Sequence, residues 1–376
     1  MSLYWNRRAR GLSPYVPGEQ PRDRKFIKLN TNENPYPPSP KVAEAIAAVL
    51  AGGAGRLRLY PDPACTTLRE AVARRYGARP EQVFAGNGSD EVLAFAFGAF
   101  FEGAESSGPG PSAASGEPGA EPLLFPDITY SFYPVYAELW DIPFRPVPLA
   151  EDFSVNAADY CVPSGGVILP NPNAPTGRAL AVRELRSILA YQLERRRVVV
   201  IDEAYAAFGA ASGTESLVPF INEYPNLLTV HTLSKSASLA GLRVGFAVGN
   251  EELIEGLCRV RDSFNSYTVD RLALPGAAAA LSDAAYYDGI NRRVIATRER
   301  VSAALAALGF TVIPSAANFV FARSPNMDGA DFSARLRDRG ILVRHFDRPR
   351  IGGFVRISIG TDEEMDALLA ECKGLA

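Results

Sequence analysis

The sequence predicts an α/β fold, with a mainly parallel central sheet covered by helices on both faces and a smaller α+β domain after it. Three observations carry this. Short apolar β-branched runs alternate with helical patterns through the first two thirds of the chain, the rhythm of parallel strands joined by crossover helices. A long pattern at 286–308, rich in Arg, Ala and Val, separates that region from a stretch in which strands and helices mix. The length, 376 residues, suffices for one large core and a second, smaller one.

Residues 1–40 are rich in Arg, Pro and Asn, with Pro35, Pro37, Pro38 and Pro40 close together, and read as an extended arm that packs against the small domain or a partner subunit. The large domain is expected at 41–285, opening with a helix at 41–50. One strand run ends at Phe84, and others fall at 123–125, 167–169, 198–201, 227–230 and 244–248. Residues 102–121, made of Gly, Ser, Pro, Ala and Glu, lack the large apolar side chains a core needs and read as a flexible surface insertion. The small domain is expected at 286–376, with a linking helix at 286–308, strands at 310–313 and 319–322, a helix at 331–339, two more strands and a closing helix at 362–370.

A formal net charge of -3 argues against a protein built to neutralise nucleic-acid phosphates or coat an anionic membrane, and favours small-molecule partners. No apolar run is long enough to span a bilayer, and residues 1–10 lack the apolar centre of a signal peptide, so a cytoplasmic protein is expected. Cys65, Cys161, Cys258 and Cys372 lack the paired spacing of a zinc site or disulfide framework. With His231 and His345 the only histidines, neither a metal centre nor a Ser-His-Asp triad is well supplied, and no metal is expected.

Four segments carry candidate chemistry. Gly86-Asn87-Gly88-Ser89-Asp90-Glu91 follows a strand and opens a helical pattern at 91–101; its glycines let backbone approach an anion, and the first helical amides would hold a phosphate. Ser89 or Asp90 capping that helix is the plainer alternative. The strand at 198–201 ends in Asp202-Glu203-Ala204-Tyr205, at the carboxyl edge where open α/β sheets bind ligands. Asp202 there suits a protonated pyridine nitrogen and Tyr205 a ring oxygen, while a helix cap or a metal-binding acid stay open.

Thr232-Leu233-Ser234-Lys235 follows another strand, with Arg243 in the next turn. The lysine is placed for a Schiff base, and Thr232, Ser234 and Arg243 supply hydroxyl donors and a guanidinium fork for phosphate. A lone lysine is more often solvated, and only the flanking pattern reverses that. The loop Asn171-Pro172-Asn173-Ala174-Pro175-Thr176-Gly177 leaves amide side chains free to meet a ligand, or is turn chemistry alone.

Together with Asn30-Thr31-Asn32-Glu33-Asn34-Pro35 and Tyr60-Pro61-Asp62-Pro63, these segments in this order resemble the aspartate-aminotransferase superfamily of pyridoxal 5′-phosphate (PLP) enzymes, and most closely the histidinol-phosphate aminotransferases. The resemblance runs over about residues 29–364 and implies fold type I of the PLP-dependent transferases. It implies that Lys235 carries PLP as an aldimine, Asp202 pairs with the pyridine nitrogen, Tyr205 meets the ring oxygen and Tyr130 stacks on the ring. The Ser89 and Asp90 amides with Thr232, Ser234 and Arg243 would hold the phosphate, and Tyr60 would reach the phosphate of the neighbouring subunit in a homodimer. Arg356 matches the arginine that grips the substrate's acidic group, Asn32 falls on the substrate side, and Arg344 adds charge for a phosphate-bearing substrate or is a solvated strand-end residue. One departure stands out. The family's usual second Asn before Pro-Thr-Gly is Ala174 here, so either Asn173 substitutes from a shifted loop or Tyr205 meets the ring oxygen alone.

The implied reaction is a ping-pong transfer from histidinol phosphate to 2-oxoglutarate, giving imidazole acetol phosphate and glutamate for histidine biosynthesis. Related enzymes act on aromatic amino acids, and a close relative decarboxylates phosphothreonine. A PLP-binding regulatory module without turnover is a different class. The roughly forty residues before the first helix are too short for the helix-turn-helix domain such modules carry.

Overall fold

The computed structural model describes residues 4–15, 18–21, 24–51, 53–103, 121–209 and 214–375, and in them the apolar runs become strands. In chain order these are β1 (Ile27–Lys28), β2 (Val83–Gly86), β3 (Leu123–Pro126), β4 (Phe144–Val147), β5 (Gly166–Pro170), β6 (Val199–Asp202), β7 (Leu227–Thr232), β8 (Gly245–Gly249), β9 (Thr311–Ile313), β10 (Phe319–Arg323), β11 (Ile341–Leu342), β12 (Arg344–His345) and β13 (Val355–Ser358). The insertion expected at 102–121 lies almost wholly outside the described residues.

Strands β2 to β8 form one seven-stranded sheet in the order β2-β8-β7-β6-β5-β3-β4. Only β8 runs antiparallel to its neighbours; the pairs from β7 through to β4 are parallel. Every residue of β2, β3, β5, β6, β7 and β8 is buried, which requires cover on both faces. Alternation sorts the side chains: Val83, Val167, Leu169, Val199 and Ile201 enter one core, while Phe84, Ile168, Val200 and Val230 enter the other. Each such aliphatic side chain contributes about 1.5–3 kcal/mol by leaving water. Edge strand β4 was not expected from the sequence, because exposed Arg145 and Pro146 interrupt its apolar pattern.

The long helix, Ala284–Ala307, leads to a four-stranded antiparallel sheet in the order β12-β13-β10-β9, with its own core around Val294, Val320, Ile357 and Met365. Arg298, fully buried on that helix, donates to Phe208 O at 3.0 Å and Ala317 O at 2.8 Å, fastening the large sheet's loops to the second sheet. The arm returns to this second region, since β1 pairs in parallel with β11. Among the described residues no helix is long and apolar enough to cross a membrane.

Candidate active site

The parallel strands end, and β8 begins, on one edge of the large sheet, where a cavity of about 430 Å³ opens. Register brings distant motifs together there. Gly245 pairs with Gly86 on one side and Thr232 on the other, so the helix Gly88–Phe100, the segment leading to Lys235, and Arg243 stand side by side. Glycine is required at this junction: a Cβ on Gly245 would lie 2.3 Å from Ser89 N, and one on Gly88, at φ +82, 2.6 Å from an Arg243 nitrogen.

The helix begins at Gly88, so Ser89 and Asp90 sit inside its first turn rather than capping it, and Asn87 supplies no side-chain cap. Its leading amides and dipole therefore offer an anion site. The Asp90 carboxylate accepts from Tyr130 Oη at 2.7 Å and from Arg243 Nη2 at 3.0 Å, which holds the phenol and the guanidinium in place across the cavity's floor. Thr232 Oγ1 accepts from Ser234 N at 3.1 Å, turning both hydroxyl residues toward the same space.

Asp202 ends β6 almost fully buried, with Ala204 N on Oδ1 and the Tyr133 phenol on Oδ2, both at 3.1 Å. Burial raises its pKa to about 6, against the pull of those two donors. A cationic ring nitrogen would bring it down again. Lys235 Nζ donates to Thr31 O at 2.9 Å, and burial, helped by Arg356, lowers its pKa to about 8. Among the described residues no group of three or more His, Cys, Asp or Glu is placed to hold a metal ion.

The opposite wall comes from the second sheet. Arg344 on β12 faces Arg356 on β13 across an antiparallel pair, and both line the cavity. Arg356 gives Nη2 to Asn30 O at 3.0 Å, while its buried Nε has no hydrogen-bond partner. Two guanidinium groups on neighbouring strands suit a dianionic group. Asn32 donates from Nδ2 to the Tyr205 phenol at 2.9 Å. Burial raises the pKa of that phenol, while Arg356 and Asn32 pull it down.

Of the residues singled out from sequence, Asn32, Ser89, Asp90, Tyr130, Asp202, Tyr205, Thr232, Ser234, Lys235, Arg243, Arg344 and Arg356 line this cavity. Two do not. Asn173 turns away: its Nδ2 donates to Ile128 O at 2.9 Å and Thr176 Oγ1 at 3.0 Å, and its Oδ1 accepts from Thr129 at 3.2 Å. Those bonds engage the amide within its own loop, and Ala174 lines the cavity instead. Tyr60 is 76% exposed and stacks on Tyr267 at 4.5 Å, outside its own chain's cavity. Sequence reading missed Tyr133, whose only signal is its place three residues after Tyr130, and Tyr15 and Gln20, which reach the cavity from the arm.

Next to Asp202, Glu203 is buried with Oε1 on Leu217 N at 2.7 Å and Oε2 3.7 Å from His231 Nε2. Burial pushes Glu203 up from 4.5 to about 7 and His231 down to about 3, so near neutrality the imidazole is uncharged. Because the folded pKa of Glu203 is raised, its stabilising contribution is whole below about 4.5 and lost as pH rises through about 7. Glu203→Gln is expected to remove this dependence. Calorimetry at about pH 5 and about pH 8 should show the wild type losing melting temperature relative to the variant as pH rises, and a difference constant with pH would exclude it.

Residues 24–371 match the family model for class I and II aminotransferases. A histidinol-phosphate aminotransferase of Bordetella parapertussis is 55% identical over 376 residues, covering 99% of each chain. One from Aromatoleum aromaticum is 53% identical over 98% of each. Among solved structures, the histidinol-phosphate aminotransferase of Sinorhizobium meliloti, in complex with pyridoxal 5′-phosphate, superposes with a TM-score of 0.84 at 24% identity, covering 100% of this chain and 98% of its own. That likeness is one of fold, and it is the α/β architecture described above. With full-length identity above half, the chain belongs to the class I and II aminotransferases and, within them, to the histidinol-phosphate aminotransferase family.

Proposed function

We propose that this protein is a PLP-dependent aminotransferase that moves the amino group of histidinol phosphate to 2-oxoglutarate, giving imidazole acetol phosphate and glutamate. The observation that carries the reading is the convergence in one cavity of a lysine with a pKa near 8, a buried carboxylate, an anion cradle and, opposite, two arginines.

The residues present fit the cofactor. The Ser89 and Asp90 amides, Thr232, Ser234 and Arg243 form the cradle for its phosphate, and the unpartnered Arg356 Nε leaves a donor for the substrate's acidic group. Asp202 would hold a proton at the ring nitrogen, Tyr205 would donate to the ring oxygen, and Tyr130 would pack on the ring face. When bound, PLP supplies the aldehyde that takes up the amino group and the ring that stores the electrons released at the substrate carbon. Lys235, with a sizeable neutral fraction near its pKa of about 8, takes a proton from that carbon and returns it on the other side of the transfer. Arg344 and Arg356 orient the substrate by its acidic group, and Tyr15 and Gln20 cover it from the arm.

The test is spectroscopic. Purified holoenzyme is titrated with histidinol phosphate, and the yellow band should bleach and return on adding 2-oxoglutarate. Faster bleaching by phenylalanine, or release of carbon dioxide from phosphothreonine, would move the substrate assignment. An unchanged band with every donor would leave a binding module without turnover.

We further propose a homodimer in which Tyr60 completes the partner's phosphate cradle. Its exposure beside Tyr267, with Leu57, Leu59 and Phe264 also exposed, supports this: large apolar side chains left in water suit burial against a second copy. Mixing and refolding Lys235→Ala with Tyr60→Ala protomers should restore activity above that of either variant alone, because one site of each hybrid has both residues. No gain on mixing would end the proposal. We also propose a large cofactor-binding domain at 41–285 and a small α+β domain at 286–376, with residues 1–40 as an arm, in a cytoplasmic enzyme whose four free cysteines stay reduced.

A further inference from the structure

The amide of Asn32 has its orientation dictated by its neighbours, and this decides what Tyr205 does with its proton. The backbone N–H of Asn32 donates to Ser358 Oγ at 2.8 Å, and a backbone amide can only donate. Ser358 therefore accepts there and gives its own proton to Asn32 Oδ1 at 2.9 Å. With Oδ1 engaged, Nδ2 is the atom that meets the Tyr205 phenol at 2.9 Å, and it too only donates. The flipped amide would turn Nδ2 toward Ser358 Oγ and take away the acceptor of the buried Ser358 hydroxyl proton. Asn318 Nδ2, on Asn32 O at 3.0 Å, holds the backbone of Asn32 at its left-handed φ of 55. Ser358 and Asn32 are both buried, so water does not compete for these bonds.

We propose that Ser358, through Asn32, fixes Tyr205 as a hydrogen-bond donor into the cavity, and so is a positioning residue for amino transfer. This rests on the reading of Tyr205 as the donor to the cofactor's ring oxygen. The phenol oxygen accepts from Asn32, so its proton is free to point at the cavity that Tyr205 lines. Without Ser358 the Asn32 amide is released to turn, its Oδ1 can accept the phenol proton, and the ring oxygen loses its donor. Ser358 follows Arg356 by two positions on β13, on the same side of the strand, so one strand supports both the acid grip and the polarity of Tyr205.

The experiment is a pH titration of the visible band of resting holoenzyme, without substrate, in wild type, Ser358→Ala, Ser358→Cys, Ser358→Thr, Tyr205→Phe and the Ser358→Ala/Tyr205→Phe double variant. A ring oxygen without its donor keeps more negative charge beside the lysine-linked nitrogen, which then holds its proton to higher pH. Arg356, Asp202 and Tyr15 around Tyr205, and Glu33, Asp90 and Arg243 around Lys235, are common to all variants.

Ser358→Ala should raise the midpoint by about one pH unit, the scale of one hydrogen bond to a charged acceptor. Ser358→Cys, a weaker donor of similar volume, should raise it part of the way, and Ser358→Thr should restore the wild-type value. Tyr205→Phe should raise it at least as far, and the double variant no further than Tyr205→Phe alone. A shift in Tyr205→Phe with none in Ser358→Ala overturns the relay, as does full additivity in the double variant. Absence of a shift in Tyr205→Phe overturns the reading of Tyr205 itself.

Discussion

Lys235→Ala is expected to reduce amino transfer by roughly ten-thousand-fold or more, while the protein stays folded. Both roles assigned to this side chain, covalent attachment of the cofactor and proton transfer at the substrate carbon, depend on one nitrogen. Among the described residues that nitrogen makes one hydrogen bond, to Thr31 O at 2.9 Å, so its removal costs the fold little. Because burial lowers its pKa to about 8, it is an amine that exchanges its proton readily near neutrality. Borohydride reduction followed by peptide mapping should label position 235 in the wild type and nowhere in the variant. A small primary amine added to the variant should recover part of the proton-transfer rate, since it can occupy the space the side chain leaves. Retention of turnover within tenfold of wild type, or a borohydride label on another lysine, would remove Lys235 from the mechanism.

Asp202→Ala is expected to lower turnover by roughly a hundred- to thousand-fold. The carboxylate is buried, and its neighbours leave it poised: burial raises it to about 6, while Ala204 N and Tyr133 oppose that rise. Facing a ring nitrogen, such a group either carries charge and stabilises the ring's proton or loses its purpose. Asp202→Asn keeps the shape and removes the charge, so it should lose nearly as much as alanine, whereas Asp202→Glu should retain more. Single-turnover rates of the half-reaction, which exclude product release, are the measurement. A loss smaller than about threefold in both Asp202→Ala and Asp202→Asn would refute the role.

The strands of the large sheet and the residues at their carboxyl ends were legible because local signals coincide there: a β-branched run, then a glycine, acid or lysine at the point where the run stops. Ser89, Asp202 and Lys235 stood out there as candidates, and the family resemblance chose among their alternative roles. What escaped was set by partners far along the chain. Tyr133 reads as one more aromatic of a helix, and only the fold brings its phenol to Asp202. Ser358 is an ordinary strand serine until Asn32, 326 residues away in sequence, meets it. Asn173 looked available because the loop sequence does not reveal that Ile128 O, Thr129 and Thr176 take up its amide. β4 was hidden because an edge strand tolerates Pro146 and needs no continuous apolar run.

The pairing of β1 with β11 also bears on how the molecule is made. Ribosomal synthesis delivers Asn32 326 residues before Ser358, and β1 long before its docking strand β11, so the catalytic cleft closes only after those later strands have been made. Nascent chains stalled before residue 341 should therefore assemble the seven-stranded sheet without a working pocket, which leaves the slow, long-range closure as the step at which growing chains are most exposed to aggregation.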